Sequence, residues 1–134
     1  MINTLLTTVF LLITNSALFA QKEKSADLKD FKIVVEKTED GIKMQSIEGS
    51  AWTNLSFSIK KDQPQAIDEY GMTYLDNVSS DKNPRLADFL FTITKTDNGI
   101  ALKGIEGTAW TSLSFSIAEN GKQAIDQYGM AKPN

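Results

Sequence analysis

The sequence predicts an all-β protein built from two tandem copies of one short antiparallel unit. Three observations predict this class: the chain repeats itself with an offset of 58 residues, apolar and polar residues alternate over short segments, and Asp-Gly or Asn-Gly follows the first segment of each copy. Alternation with a period of two is typical of half-buried strands, and these dipeptides favour tight hairpins. We expect two copies of a four-stranded antiparallel meander that form a pseudo-twofold sandwich or a partly closed barrel.

The two copies align without a gap. Residues 30–73 match residues 88–131 at 24 of 44 positions, an identity that indicates an internal duplication. The segment between them, residues 74–87, is rich in Asp, Asn and Ser and is expected to be a connector loop. Four short strands bury too little apolar surface to be stable alone, so we expect the two copies to form one folded domain. Two separate small domains are the alternative.

Each copy contains four short segments that suit strands. They are residues 31–37, 42–47, 52–59 and 65–70 in the first copy and residues 89–95, 100–105, 110–117 and 123–128 in the second. The last segment of each copy also fits a single helical turn, but six residues are short for a helix and natural for a strand. In the hairpins between the first two strands, Gly41 and Gly99 are expected to adopt positive φ.

The amino terminus resembles an export signal. Residues 1–20 carry no charged side chain and contain an apolar run, residues 9–13, followed by three polar residues and a segment that ends in the small Ala20. This order is typical of a secretory signal peptide, here cleaved after Ala20. Thr, Asn and Ser residues interrupt the apolar run, which makes a membrane anchor the weaker interpretation. We expect an exported protein, periplasmic or secreted, with residues 21–29 as a flexible lead-in and no membrane span after cleavage.

The composition excludes several kinds of chemistry. The chain has no histidine and no cysteine, so imidazole catalysis, thiol nucleophiles, disulfides and zinc sites built on these residues are excluded. The net charge of −3, with mixed signs, argues against nucleic-acid binding, which usually needs a basic surface. No cofactor and no metal site are expected.

The third segment of each copy suggests a binding surface. Alternation places the apolar residues on one face and a tryptophan beside small polar side chains on the other. An aromatic ring beside hydroxyl groups could stack on a sugar ring or contact a protein partner. The candidate ligand-binding residues are Trp52, Ser56, Ser58 and Tyr70 in the first copy and Trp110, Ser114, Ser116 and Tyr128 in the second. The alternative interpretation makes the Trp and Tyr rings part of the core.

Glu48 and Glu106 are the only carboxylates that suggest catalysis, because two carboxylates can hydrolyse a glycosidic bond. The orientation of Glu48 depends on the hairpin register. A bulge at Gly41 would place Glu48 across from Lys32, facing solvent, and Ile47 beside Ile33. We expect this register. The sequence pattern shows no substrate cleft beside the two glutamates.

Asp68 and Asp126 precede a tyrosine and a glycine at the end of each copy. Asp residues in this setting usually accept hydrogen bonds from nearby backbone amides in a turn. Calcium binding is the alternative, but neither copy contains the spaced acidic loop of an EF-hand. We therefore expect the two Asp residues to hold turns.

The leading functional prediction is a non-catalytic exported binding module for a glycan or a protein partner of the cell envelope. The alternative is a structural or self-associating envelope protein whose strand edges or Trp-bearing faces contact further copies. A carboxylate-based hydrolase that uses Glu48 and Glu106 is the third possibility. The oligomeric state and the identity of the ligand are left open by the sequence.

Overall fold

The computed structural model of the protein describes residues 28–77 and 82–132. This part of the chain is all-β, with ten strands and one turn of 3₁₀ helix at Leu75–Asn77. The strands of the first copy are β1 Lys32–Lys37, β2 Gly41–Glu48, β3 Asn54–Ser58, β4 Gln65–Asp68 and β5 Gly71–Thr73. Those of the second copy are β6 Leu90–Lys95, β7 Gly99–Glu106, β8 Ser112–Ser116, β9 Lys122–Asp126 and β10 Gly129–Ala131. The predicted signal peptide, residues 1–20, lies outside the described residues.

Each copy therefore has five strands in place of the predicted four. The last predicted segment is a strand, and it continues through a two-residue turn into a short fifth strand. Asp68 holds this turn, because its Oδ1 accepts hydrogen bonds from the backbone N–H groups of Tyr70 at 2.8 Å and Gly71 at 3.1 Å. Gly71 has a φ of 126°, which favours glycine. The predicted role of Asp68 in a turn is confirmed.

The two copies exchange their last strands. Sheet A has the strand order β10-β9-β1-β2-β3, and sheet B has the order β5-β4-β6-β7-β8. In each sheet the first three strands of one copy form an antiparallel meander, and the fourth strand of the other copy pairs with the first strand of that meander. The fifth strand pairs with the fourth and lies at the edge of the sheet. A four-stranded meander within one copy, as predicted, is not found. Because of this exchange, each strand of sheet A has its equivalent, 58 residues away in the sequence, at the same place in sheet B.

The two five-stranded sheets are open, so the partly closed barrel, one of the two predicted arrangements, is not seen in the described residues. A single apolar cluster combines side chains of both copies. Near its centre, the equivalent rings of Phe31 and Phe89 stack with their centroids 4.3 Å apart. Because strands from both copies supply each sheet and this cluster, neither copy has a complete sheet or core by itself.

Two buried lysines connect the first strand of each copy to the other copy. Lys37 Nζ donates hydrogen bonds to the backbone carbonyl groups of Thr96 at 3.0 Å and Asp97 at 3.3 Å. The equivalent Lys95 Nζ donates to the carbonyl groups of Thr38 at 2.7 Å and Glu39 at 2.9 Å. Each ammonium group thus satisfies carbonyl groups in the hairpin turn of the opposite copy, which offsets the unfavourable burial of its charge.

The glycines of the hairpins act differently from the prediction. Neither Gly41 nor Gly99 has a positive φ. They are required instead by close packing, since a Cβ atom on Gly41 would collide with the backbone carbonyl oxygen of Phe57 and one on Gly99 with that of Phe115. The third strand of each copy therefore approaches the second at a point where only glycine fits.

The bulge lies further along β2 than predicted. Glu48 pairs with Lys32 and is exposed, as expected, but Ser46 rather than Ile47 stands opposite Ile33. The register shift falls between Lys32 and Ile33, and Ile47 is left 46% exposed. The prediction that Ile47 packs beside Ile33 is wrong, because the extra residue enters at the end of β2 and not at its glycine start.

Candidate functional site

The two tryptophans lie on the core side of the sheets. Strand β3 begins at Asn54, so the alternation that placed Trp52 beside the serines does not extend to this residue. Trp110 is 8% exposed and belongs to the apolar cluster, and the partly buried Trp52 packs against it. Their indole Nε1–H groups donate to the backbone carbonyl groups of Asp68 at 3.1 Å and Asp126 at 3.0 Å. Each ring therefore attaches the edge of one sheet to the last hairpin of its own copy, which lies in the other sheet.

The predicted serines face away from this core. Ser56 and Ser58 in β3 are exposed and alternate with the partly buried Leu55 and Phe57. The same pattern holds in β8 for Ser114 and Ser116, which are exposed. The structure thus separates the serines from the tryptophans that the sequence pattern placed on one face.

Tyr70 and Tyr128 lie in the turns between the last two strands of their copies. Their side chains are 44% and 56% exposed, so the structure places both rings on the surface and not in the core. Asp126 holds the second turn as Asp68 holds the first, with its Oδ1 accepting from the N–H groups of Tyr128 at 2.8 Å and Gly129 at 3.1 Å. The tyrosines are therefore carried on turns that Asp68 and Asp126 hold by hydrogen bonds.

A groove of about 380 Å³ crosses the outer face of sheet A, and we call it the sheet A groove. It is lined by Val34, Glu36, Lys43, Met44, Gln45, Asn54, Leu55, Ser56 and Lys122. Of the candidate residues predicted from the sequence, only Ser56 lines it. The other lining residues come from strands β1, β2, β3 and β9, so both copies contribute to the groove.

The outward-facing side chains of the groove form two rows that follow from the strand register. Lys122 pairs with Glu36, Glu36 with Lys43, and Lys43 with Ser56, which makes one row across four strands. The neighbouring row contains Val34, Gln45 and Asn54. Lys122 Nζ lies 4.0 Å from Glu36 Oε1, at the outer limit for an ion pair. Side chains of directly paired residues stand about 5 Å apart, so the row presents charges and hydroxyl groups at regular spacing.

The equivalent face of sheet B has different chemistry. The residues equivalent to Lys122, Glu36 and Lys43 are Pro64, Thr94 and Ala101, so this charged row exists only on sheet A. Two further outward-facing residues of β6 in sheet B are buried, since Leu90 is 4% and Thr92 is 9% exposed. Their equivalents on sheet A, Lys32 and Val34, are more accessible. Within the described residues, the two similar sheets therefore differ in their outer faces, and the row of Lys122, Glu36 and Lys43 is found on sheet A.

The two glutamates of the hydrolase hypothesis are the last residues of strands that belong to different sheets. Glu48 ends β2 in sheet A, and Glu106 ends β7 in sheet B, and both are exposed. Glu106 Oε2 lies 4.0 Å from Lys82 Nζ, which is 2.7 Å from Asp88 Oδ1. Residues 28–77 and 82–132 contain no cluster of three or more side chains suited to hold a metal ion.

One buried carboxyl has an unusual environment. Glu69, in the turn between β4 and β5, is 4% exposed. Burial raises the pKa of Glu69, and the neighbouring carboxylates of Asp68 and Asp88 raise it further, whereas a backbone hydrogen bond and Lys82 oppose the shift. On the surface, the 2.8 Å contact between Lys61 and Asp97 raises the pKa of the lysine and lowers that of the aspartate. Neither feature belongs to the sheet A groove.

Comparisons with protein-family models, with curated proteins and with solved structures found no match to this chain. The helical part of the described chain offers no segment of the length and apolar character that crossing a membrane demands. The candidate site is therefore defined by geometry alone. Sequence reasoning missed Glu36, Lys43 and Lys122, because their row forms only when β9 of one copy pairs with β1 of the other. A signal was present in the alignment of the copies, where these three charged residues face uncharged equivalents.

Proposed function

We propose that this protein is a non-catalytic exported binding module and that its ligand is a glycan bound along the sheet A groove. The observation that carries the proposal is the row formed by Lys122, Glu36 and Lys43 on an open sheet face. Such side chains, with the amide and hydroxyl groups of the neighbouring Gln45, Asn54 and Ser56, offer both donors and acceptors to sugar hydroxyl groups.

The lining of the groove favours a glycan over a protein partner. The centres of protein interfaces are enriched in aromatic residues and depleted of Lys and Glu. The sheet A groove has the opposite composition, since no aromatic side chain is among the described residues that line it. Binding would therefore rest on hydrogen bonds and charge, and not on the ring stacking that the sequence pattern suggested for Trp52 and Trp110.

The charge of the groove favours an acidic glycan. Lys43 and Lys122 flank the single carboxylate of Glu36 in the row, whereas the whole chain has a net charge of −3. A local excess of positive charge on an acidic protein attracts carboxylate groups of a ligand, and salt weakens this attraction. A polymer of uronic acid provides such carboxylates together with hydroxyl groups.

The test is electrophoresis through gels that contain polygalacturonate or a neutral galactan, with each migration compared with a gel that lacks polymer. We expect polygalacturonate to retard the protein and added salt to reduce the effect. The double variant Glu36→Thr with Lys43→Ala carries the residues that sheet B has at these positions and keeps the net charge, and it should lose the retardation. Lys103→Ala, on the outer face of sheet B, is the control and should remain retarded. Unhindered migration of the parent protein in both polymers would refute the proposal.

A further inference from the structure

On one side, each sheet ends in an edge strand that comes from the third segment of a copy. Among the ten described strands, β3 pairs only with β2, and β8 pairs only with β7. In the first pair, Ser46 N donates to the carbonyl group of Thr53 and Ile59 N to that of Asp40. Because the bonded residues alternate along an antiparallel strand, the backbone groups of Asn54, Ser56 and Ser58 point away from the sheet.

Strand β8 has the same arrangement. Gly104 N donates to the carbonyl group of Thr111, and Ile117 N donates to that of Asn98. The same alternation turns the backbone N–H and C=O groups of three serines outward, and these are Ser112, Ser114 and Ser116. Within the described residues, the protein therefore carries two edges of this kind, each with three residues whose backbone groups point away from their own sheet.

Neither edge has the usual protection against such pairing. Natural edge strands are blocked by lysine, proline, bulges or inward-pointing charges. Residues 52–59 and 110–117 contain no charged residue and no proline, and both strands are regular in their pairing with the neighbouring strand. The inner faces of the edges are incompletely covered, because Leu55, Phe57, Leu113 and Phe115 are only partly buried.

We propose that β3 of one molecule pairs in antiparallel fashion with β8 of a second copy of this chain. Centring the pair on Ser56 and Ser114 aligns all six outward-facing residues and allows about six backbone hydrogen bonds. The same register places Leu55 opposite Phe115 and Phe57 opposite Leu113 on the inner face. These apolar cross-strand pairs bury side chains that each molecule alone leaves partly exposed.

Charge favours this pairing over one between two identical β3 edges. Lys43 stands beside Ser56 in sheet A, and Ala101 stands beside Ser114 in sheet B. A contact between two β3 strands would bring a second Lys43 into the same row, whereas β8 brings Ala101. A contact between unlike edges leaves one edge free at each end, so the molecules add in an open row and continue sheet A of one into sheet B of the next.

The interface is small, so the association is weak and depends on concentration. Sedimentation velocity of the purified protein, without any glycan, should give a sedimentation coefficient that rises from dilute to concentrated solution. Hydrogen exchange should slow with concentration at the amides of both edges, Asn54, Ser56 and Ser58 together with Ser112, Ser114 and Ser116. A monomer at every concentration, or exchange that concentration does not change, would overturn the proposal.

Charged variants test the register. Ser56→Glu with Ser114→Glu places two carboxylates opposite each other and should abolish the association, whereas Ser56→Thr with Ser114→Thr, the uncharged control, should retain it. Ser56→Glu with Ser114→Lys places opposite charges across the contact and should restore it. Recovery of the association in this variant excludes pairing between identical edges, because two β3 edges would oppose Glu with Glu and two β8 edges would oppose Lys with Lys. Association of the double Glu variant equal to that of the parent, at an unchanged melting temperature, would contradict the proposal.

Discussion

Glu69 and Gln127 occupy equivalent turns of the two copies, and only Gln127 has a side chain that satisfies both neighbours without a charge. Gln127 Oε1 accepts a hydrogen bond from Phe31 N at 3.0 Å, and its Nε2 donates to Asp30 Oδ1 at 2.8 Å. Glu69 is equally buried, but its carboxyl group is close to Asp88, the residue equivalent to Asp30. An amide thus faces a carboxylate at Gln127, whereas two acids meet at the equivalent position of Glu69.

Replacing Glu69 by Gln should stabilise the protein at neutral pH by about 1 kcal/mol, since the amide can donate to Asp88 as Gln127 donates to Asp30. The pKa of Glu69 is raised in the folded state, so its carboxylate destabilises the fold above that pKa, and this penalty disappears as the pH falls through the unfolded value. The gain in Glu69→Gln should therefore be larger at neutral than at acid pH. Urea denaturation at both pH values measures it. Gln127→Glu, the reverse change, should destabilise the protein at neutral pH.

Lys37 and Lys95 should each contribute to stability, because they satisfy carbonyl groups in the hairpin of the other copy. Lys37→Met and Lys95→Met should each lower the free energy of unfolding by about 1 to 3 kcal/mol. The exposed Lys103 serves as the control, and Lys103→Met should change stability by less than about 0.5 kcal/mol. Denaturant titration distinguishes these outcomes, and equal stability of all three variants would show that the buried ammonium groups have no structural role.

One copy alone should not fold as a monomer. Residues 28–77 include β4, which pairs with β6 of the second copy, and they lack the strands that complete sheet A. Expressed alone, this segment should either remain unfolded when dilute or form a dimer that repeats the exchange, with a melting temperature that rises with concentration. Calorimetry at several concentrations tests this. A monomeric segment with a sharp melting transition would contradict the shared core.

Gly41→Val and Gly99→Val should each destabilise the protein by about 1 to 3 kcal/mol or more. The reason is a collision with the carbonyl oxygen of Phe57 or Phe115, and not an unfavourable φ. For the same reason, Gly41→Ala should also be destabilising, since its Cβ alone meets the obstacle. Thermal unfolding measures the effect, and an unchanged melting temperature in the Ala variant would exclude the collision.

Local features of this fold were accessible from the sequence. The hairpins, the strand within the predicted segment 65–70 and the turn roles of Asp68 and Asp126 depend on neighbouring residues, and the structure confirms them, with the strand at Gln65–Asp68 and a turn at residues 69 and 70. The exchange of strands between copies was not accessible, because the two copies are so similar that β4 and β9 fit either first strand by pattern alone.

The candidate site was less accessible than the fold. The position of Trp52 depends on where β3 begins. The strand starts at Asn54, two residues later than predicted, and the ring of Trp52 lies on the core side. The row of Lys122, Glu36 and Lys43 combines residues from both copies, and its alignment follows from the register of β9 on β1. Long-range register of this kind is set by the packing of the whole sheet and not by local sequence.

The most direct test of the proposed function is a map of backbone amide chemical shifts during titration with oligogalacturonate. We expect the largest changes on the outer face of sheet A, at Val34, Glu36, Lys43, Gln45, Asn54, Ser56 and Lys122. The equivalent positions on sheet B, including Thr94 and Ala101, should remain unchanged and serve as the internal control. Equal changes on both sheets, or changes confined to the turns that carry Tyr70 and Tyr128, would contradict a glycan site in the sheet A groove.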